Sequence, residues 1–274
     1  MSSGMGVGKK FVLYRITHSH RQKTAGFIFG LQLYIVLSMN VYNKIETLAI
    51  VPARGGSKSI PRKNIADLGG KPLMAYCLEA IKSSNSVKRL IVTTDDKEIA
   101  DVAQQWGAEI PFLRPQELAQ DNTPTIPVIE HALLWLEQNQ NYKPEYILLI
   151  EPTTPFIKPE QIDKTLDLII SKKADSGKTV IAVPRVFHPY HVRHIDSNGY
   201  LRFDNPELHY AHPSRQLDPK RYAHGNLWWF KRDLFLKEKK IELGQAVGFE
   251  IDTKSAHDIN DPFDLEIARS FLIL

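Results

Sequence analysis

Cysteine is almost absent from this sequence. Of 274 residues only Cys77 carries a thiol, which excludes an internal disulfide and fits a reducing compartment. Cys77 lies in a helix-like stretch, where a lone cysteine is ordinarily a small buried apolar residue. A strong charge of either sign is also missing. A formal net charge of +4 is small for this length and argues against nucleic acid as a partner, because the basic excess gathers in one loop rather than over a face. The chain contains no GxGxxG fingerprint, no GxxxxGK[ST] loop, no nucleophile elbow, no internal repeat and no low-complexity tract. The apolar run Ala25–Met39, AGFIFGLQLYIVLSM, is too short to cross a membrane comfortably.

What remains is the composition of an ordinary folded enzyme. Hydrophobic residues make up 43% and charged residues 24%, enough for one substantial core. Residues 1–47 do not read like the rest. Lys9, Lys10, Arg15, Arg21 and Lys23 precede the apolar run in the manner of a signal peptide, but Leu37, Ser38 and Met39 make a poor cleavage site. The alternative is an upstream translation start, with Met39 opening the functional chain.

From Leu48 onward short apolar runs alternate with amphipathic helices. Leu48–Ala53, Arg89–Thr94, Glu109–Leu113, Tyr146–Ile150 and Thr179–Val183 are predicted as buried strands. Pro72 can begin a helix in which Leu73, Tyr76, Cys77, Ala80 and Ile81 share one face. Asp95 or Asp96 can cap the next, and Gly107 can stop it. Further helices are expected over Thr125–Gln140, Pro159–Lys172 and Pro262–Leu272. Strand, helix, strand in repetition implies a three-layer, Rossmann-like α/β fold with a mainly parallel sheet, its ligand crevice at the carboxyl ends of the strands. The segment from Arg185 to Tyr222 breaks the rhythm. Rich in Pro, His, Tyr and Asn, with an SNGY turn at Ser197–Tyr200, it suits a small protruding arm.

The strongest chemical signal follows the first strand. In VPARGGSKSIPRKNI, Val51 to Ile65, two glycines share one loop with Arg54, Lys58, Arg62 and Lys63. Glycines let backbone amides approach phosphate oxygens, and the cations offset the charge of a nucleoside triphosphate. A solvated basic loop would have the same composition, but its place directly after a buried strand favours a binding site.

This loop resembles the signature of the acylneuraminate (CMP-sialic acid) cytidylyltransferase family, AR-x-x-SK-x-x-x-x-KN, which Ala53, Arg54, Ser57, Lys58, Lys63 and Asn64 match position for position. The resemblance continues in order to the C-terminus through VTTDD (Val92–Asp96), FLRPQELAQDNTPT (Phe112–Thr125), IEPTTPF (Ile150–Phe156), RQLDPKRY (Arg215–Tyr222) and DINDPFDLEIA (Asp258–Ala268). It implies a cytoplasmic homodimer, joined through the 185–222 arm, that couples CTP to an acidic sugar with Mg²⁺ or Mn²⁺ as cofactor. By the same resemblance Arg54 and Lys63 are catalytic. Ala53, Gly55, Ser57, Lys58, Asn64, Arg114 and Thr125 join them around CTP, and Glu151, Thr153, Arg215 and Tyr222 meet the sugar, with Arg215 on its carboxylate. A surface charge at a strand end is the plainer account of Arg114.

Two places depart from the family pattern. The acidic D-I-D segment that would ligate the metal is here Asp258, Ile259 and Asn260, with Asp261 or Asp252 available to supply charge. Strand alternation would put Asp258 and Asn260 on one face, whereas a plainer role for Asp258 and Asp261 is to cap the last helix. Where many sialic-acid members read LQPTSPLR, this chain reads IEPTTPFI, so Glu151 replaces glutamine and Ile157 arginine; the usual N-G pair is Gly225-Asn226. A carboxylate there favours a donor-rich or amino-bearing sugar over an acceptor; with these departures the resemblance implies a nine-carbon sialic-acid relative, such as a legionaminic or pseudaminic type. His188, His191, His194, His209, His212 and His224 match no recurrent zinc spacing, and Trp228 and Trp229 suit a core strand. A Kdo-activating enzyme and a non-catalytic nucleotide- or sugar-binding protein remain as other readings.

Overall fold

The computed structural model describes Tyr42 and residues 44–273; the apolar run Ala25–Met39 lies outside them. The fold lies within one compact unit, Glu46–Leu274. No described helix is long and apolar enough to cross a membrane.

Five strands run parallel and one runs against them. The sheet order is β10 (Ala246–Glu250), β6 (Ser176–Ala182), β9 (Tyr222–Lys231), β5 (Tyr146–Ile150), β1 (Thr47–Pro52) and β4 (Arg89–Thr93). Only β9 is antiparallel, to both β5 and β6. Period-two alternation divides each strand between two helical layers. Leu48, Ile50, Ile147, Leu149 and Phe230 meet Ile129, Leu133 and Leu136 of the helix Thr125–Gln140, together with Phe235 of the helix Arg232–Glu238. On β9 the next residue, Trp229, is fully buried and donates its indole N–H to the Ile162 carbonyl of the helix Pro159–Lys172 at 3.1 Å. The expected three-layer α/β architecture is therefore present.

Local chemistry explains the element ends. Asp96 caps the helix Lys97–Gln105 by accepting from Ile99 N at 3.0 Å, and Gly107 follows at φ +86°, a left-handed conformation that ends the turn at little steric cost. The expected strand Glu109–Leu113 is corrected to a single bridge, Ile91 to Glu109. Pro111 has no N–H to continue the ladder. Strand β6 begins at Ser176 rather than Thr179, and β10, with Gly248 at its centre, has no counterpart in the sequence reading.

The order β5-β1-β4 makes β1 the point where successive crossovers diverge to opposite sides, so the loops leaving β1, β4 and β5 part to open a crevice. The arm folds as a short hairpin, β7 (Arg193–Ile195) with β8 (Leu201–Phe203), turned at Gly199 with φ +84°, and a helix Pro206–Ala211. Asp196 Oδ1 accepts from the amides of Asn198 and Tyr200 and holds that turn.

Candidate active site

A cleft of about 550 Å³ lies at the carboxyl ends of β1, β4 and β5. Its wall includes Arg54, Ser57, Lys58, Lys63, Asn64, Arg114, Thr125, Glu151, Thr153 and Asn260, so residues far apart in sequence meet as the motif order implied. Three segments are tied together here. Lys63 Nζ donates to the Ile259 carbonyl at 2.9 Å and Ser59 Oγ to the Asn260 carbonyl at 2.5 Å, while Ile259 N donates to the Thr153 carbonyl at 3.0 Å. Buried Asn64 stiffens the basic loop, giving its Nδ2 proton to the Arg54 carbonyl at 2.9 Å.

Not every loop residue faces the cleft. Ala53 is buried in the sheet, its N–H bonded to Thr93 O at 3.0 Å. Gly55 gives its amide to Asp95 Oδ1 at 3.1 Å, and a Cβ there would sit 2.8 Å from Asp96 Oδ2, so this glycine serves close packing rather than a phosphate cradle. The cleft's positive character thus comes from side chains. Arg62 must also be removed from the four cations. At φ 53° it turns away, pairing with Asp96 at 2.7 Å and Glu98 at 2.8 Å.

Arg114 is not the surface charge its type suggests. It is buried, its Nη2 bonded to the Thr93 carbonyl at 3.1 Å, and its Nε has no partner among the described residues. Burial lowers its pKa, opposed by the nearby Asp95 carboxylate, yet a guanidinium stays charged at any working pH. A desolvated cation with a spare donor, in the wall of a cleft, is poised for an acceptor on a ligand.

Asp121 was invisible in the sequence because nothing in its type or spacing sets it apart. It pairs with Arg54 at 2.9 Å and with Lys58, and their hydrogen bonds and charges, that of Lys58 foremost, hold its carboxyl below the usual range. An anion entering the cleft competes with this carboxylate. Asp121→Asn is therefore expected to lower the KM for a triphosphate about two- to fivefold, the scale of one exposed ion pair, with kcat little changed. Steady-state kinetics check this; an unchanged or raised KM removes Asp121 as a competitor.

A smaller pocket of about 180 Å³ adjoins, lined by Glu151, Thr154, His224, Gly225, Asn226, Ala256 and Asp258. Glu151 lines both spaces. Burial raises the pKa of this carboxyl, which replaces glutamine; the Asp258 charge raises it further and Lys63 opposes. Gly225 can only be glycine, since a Cβ would lie 2.6 Å from Thr179 Oγ1. Asn226 is buried, accepting from Thr179 Oγ1 at 2.8 Å and donating to the Ser255 carbonyl at 2.7 Å. Ile157, in place of arginine, is buried.

The sequence reading gave His224 little weight. Its ring stacks on Trp228 with centroids 3.7 Å apart, and its buried Nδ1 has no partner among the described residues. Burial, helped by Lys178 and opposed by Asp258 and Glu242, pushes its pKa down to about 4. Because the unfolded chain takes up this proton near pH 6.5 and the folded one does not, stability should be full above that pH and decline as pH falls toward 4. Urea unfolding at a series of pH values should show a shallower decline for His224→Gln; equal slopes would remove the shift.

Asp258 and Asn260 do lie together, though on irregular extended chain rather than on a strand. Asp258 Oδ1 accepts from Thr153 Oγ1 at 2.5 Å and its Oδ2 from Asn260 Nδ2 at 2.9 Å. It does not cap the last helix, Pro262–Ile273. Asp261 does, accepting from Asp264 N at 3.0 Å while Asp264 accepts from the amides of Asn260 and Asp261. Asp252 is engaged with Ser255 and Lys158, so neither extra aspartate stands free to supply charge. The remaining oxygens, one carboxylate and one amide carbonyl, form a hard-donor set suited to a small divalent cation that keeps waters and phosphate oxygens. Arg215 and Tyr222 are not brought to either pocket within this chain: Arg215 is exposed in the arm, and Tyr222 Oη donates to Glu250 at 3.0 Å.

Comparison with known proteins fits this geometry. The sequence model of the cytidylyltransferase family matches residues 48–244. CMP-N,N'-diacetyllegionaminic acid synthase of Legionella pneumophila is 40% identical over 165 residues, 60% of this chain and 68% of that protein. Pseudaminic acid cytidylyltransferase of Campylobacter jejuni is 30% identical over 228 residues, 82% of this chain and 95% of the relative. Among solved structures, a CMP:2-keto-3-deoxy-manno-octonic acid synthetase complexed with CTP superposes with a TM-score of 0.62 at 16% identity, covering 83% of this chain and 98% of the other. That likeness speaks for the fold.

Proposed function

The chain belongs to the cytidylyltransferase family, and from that premise we propose that it transfers CMP from CTP to the anomeric hydroxyl of a nine-carbon, sialic-acid-like ulosonic acid, releasing pyrophosphate. The observation that carries the reading is the junction at Glu151. There a cation-walled cleft, sized for a nucleotide, meets a smaller polar pocket, which suits an acidic sugar held beside an α-phosphate.

The chain's own groups act mainly by position and charge. Arg54, Lys58 and Lys63 hold the triphosphate once Asp121 gives way, and Arg114 adds its charge to the cleft wall that meets the nucleotide. The sugar hydroxyl attacks the α-phosphorus in line and loses its proton to water as the bond to the β-phosphate oxygen breaks, and charge gathers on the departing pyrophosphate, where Lys63 stabilises it. Asp258 and Asn260 would hold Mg²⁺ or Mn²⁺, a cation that when bound would supply charge neutralisation at the phosphates. Glu151 lines both spaces and is placed to meet the sugar. Two copies pair through the arm, whose Val186, Phe187, Ile195 and Tyr210 are exposed, and this pairing would carry Arg215 to a partner's sugar. CTP places the reaction in the cytoplasm.

A pyrophosphate-release assay with CTP and a panel of nine- and eight-carbon ulosonic acids tests the reading. Turnover is expected with a nine-carbon acid of the legionaminic or pseudaminic type. Preference for the eight-carbon acid would move the assignment to a Kdo-activating enzyme, and release with none would leave a binding protein.

A further inference from the structure

The arm lacks what usually holds a small unit together. Between Arg185 and Tyr222 only one residue is buried, and it is His188, at 3% exposure. A stretch this short without an apolar core needs another fastening. At its centre, imidazoles surround a single carboxylate. His191 Nε2 lies 3.0 and 3.1 Å from the two oxygens of Asp218, and His191 Nδ1 lies 3.0 Å from His209 Nδ1. One ligand atom from each of His188, His191 and Asp218 falls within 4.8 Å of the other two. A tetrahedral zinc ion, about 2.0–2.1 Å from nitrogen and oxygen, holds its ligands roughly 3.4 Å apart, so small side-chain rotations close the set.

The surrounding bonds already orient these rings. The Pro219 carbonyl, 2.9 Å from His188 Nε2, can only accept, so the proton sits on Nε2 and the Nδ1 lone pair is free for a ligand bond in place of the long 3.2 Å contact from Tyr190 N. A ring N–H given to a backbone carbonyl is how metal-bound histidines are commonly fixed. For His191 the contact with His209 can run in either direction. Moving the His191 proton from Nε2 to Nδ1, and the His209 proton from Nδ1, where it now meets the His191 lone pair, to Nε2, reverses that bond and frees His191 Nε2 without net proton loss. Arg185, 3.4 Å from Asp218 Oδ2, can remain as an outer contact.

We propose that His188, His191 and Asp218 bind a first-row transition-metal ion of the zinc type, with His209 positioning His191 and water completing the tetrahedron. Two imidazoles and a carboxylate select such an ion over Mg²⁺, which prefers oxygen alone. The ion clips the turn at 188–191 to the segment at 218–219 that leads into β9, doing for the arm what a core does elsewhere. The sequence concealed the site because Asp218 is distant in the chain and the two histidines are only three residues apart.

Untagged full-length protein, stripped with a chelator, is titrated with Zn²⁺ alone against a chromophoric competitor. One ion per chain is expected in the Asp258→Asn variant, which cannot owe its zinc to the cleft. In that background His191→Gln and Asp218→Asn should each weaken binding at least about tenfold, and His209→Gln about tenfold at unchanged stoichiometry. Far-UV circular dichroism checks that each variant folds, and either ligand variant suffices if the other does not. Zinc bound equally well by both ligand variants, or no zinc held once Asp258 is replaced, overturns the site.

Discussion

Lys63→Ala should lower turnover at least about a hundredfold, the scale of losing one preorganised charge stabiliser. Lys63 Nζ sits 2.9 Å from the Ile259 carbonyl, between the basic loop and the Asp258 segment, and its charge is felt at Glu151. It is thus held at the junction of the two pockets rather than at the mouth. The left-handed Arg62 just before it, pinned to Asp96 and Glu98, turns the chain so that Lys63 and not Arg62 points inward. Lys58 makes a useful contrast: its side chain is 81% exposed, and Lys58→Ala should act mainly through the KM for CTP. Lys63→Met keeps the packing of the stem, though like alanine it gives up the bond to Ile259, and should lose turnover to a similar degree with a smaller fall in melting temperature than Lys63→Ala. Near-normal turnover in both Lys63 variants would take the loop out of the mechanism.

The same loop shows what the sequence made legible. Short apolar runs alternating with helices, and a cation-rich loop after a strand, were enough to place β1, the crevice and the cations of that loop, because those features follow from local patterning; the rest of the wall, with Arg114, Thr125, Glu151, Thr153 and Asn260, came from the family resemblance. The roles of Gly55 and Arg62 were not readable. Their partners, Asp95, Asp96 and Glu98, are some 34 to 40 residues away and arrive only when β4 pairs with β1. Arg114 was named for the nucleotide by the resemblance, but its burial could not be read for a similar reason: that an arginine is buried depends on what covers it, not on its neighbours in the chain. Glu109–Leu113 failed differently, since the apolar run was real and Pro111 overrode it.

The metal assignment gives the second large effect, where the sequence is least orthodox. If Asp258 binds Mg²⁺, Asp258→Asn should keep the fold and sharply raise the Mg²⁺ needed for half-maximal turnover, because a neutral oxygen replaces a charged one of similar size. Asn260→Asp should shift the titration the other way. Its present amide donates to Asp258 Oδ2, occupying a lone pair, whereas a second carboxylate there adds charge and removes that competing bond. Two carboxylates side by side repel, so without metal Asn260→Asp should be the less stable variant, and Mg²⁺ should raise its melting temperature more than it raises that of the unaltered protein. The capping alternative predicts silence, since asparagine caps about as well as aspartate; with Asp261 and Asp264 already satisfying the helix start, nothing is left for Asp258 to cap. Mg²⁺ titrations that coincide for all three proteins, by turnover and by melting temperature, would place the cation elsewhere and leave Asp258 as a partner for Thr153.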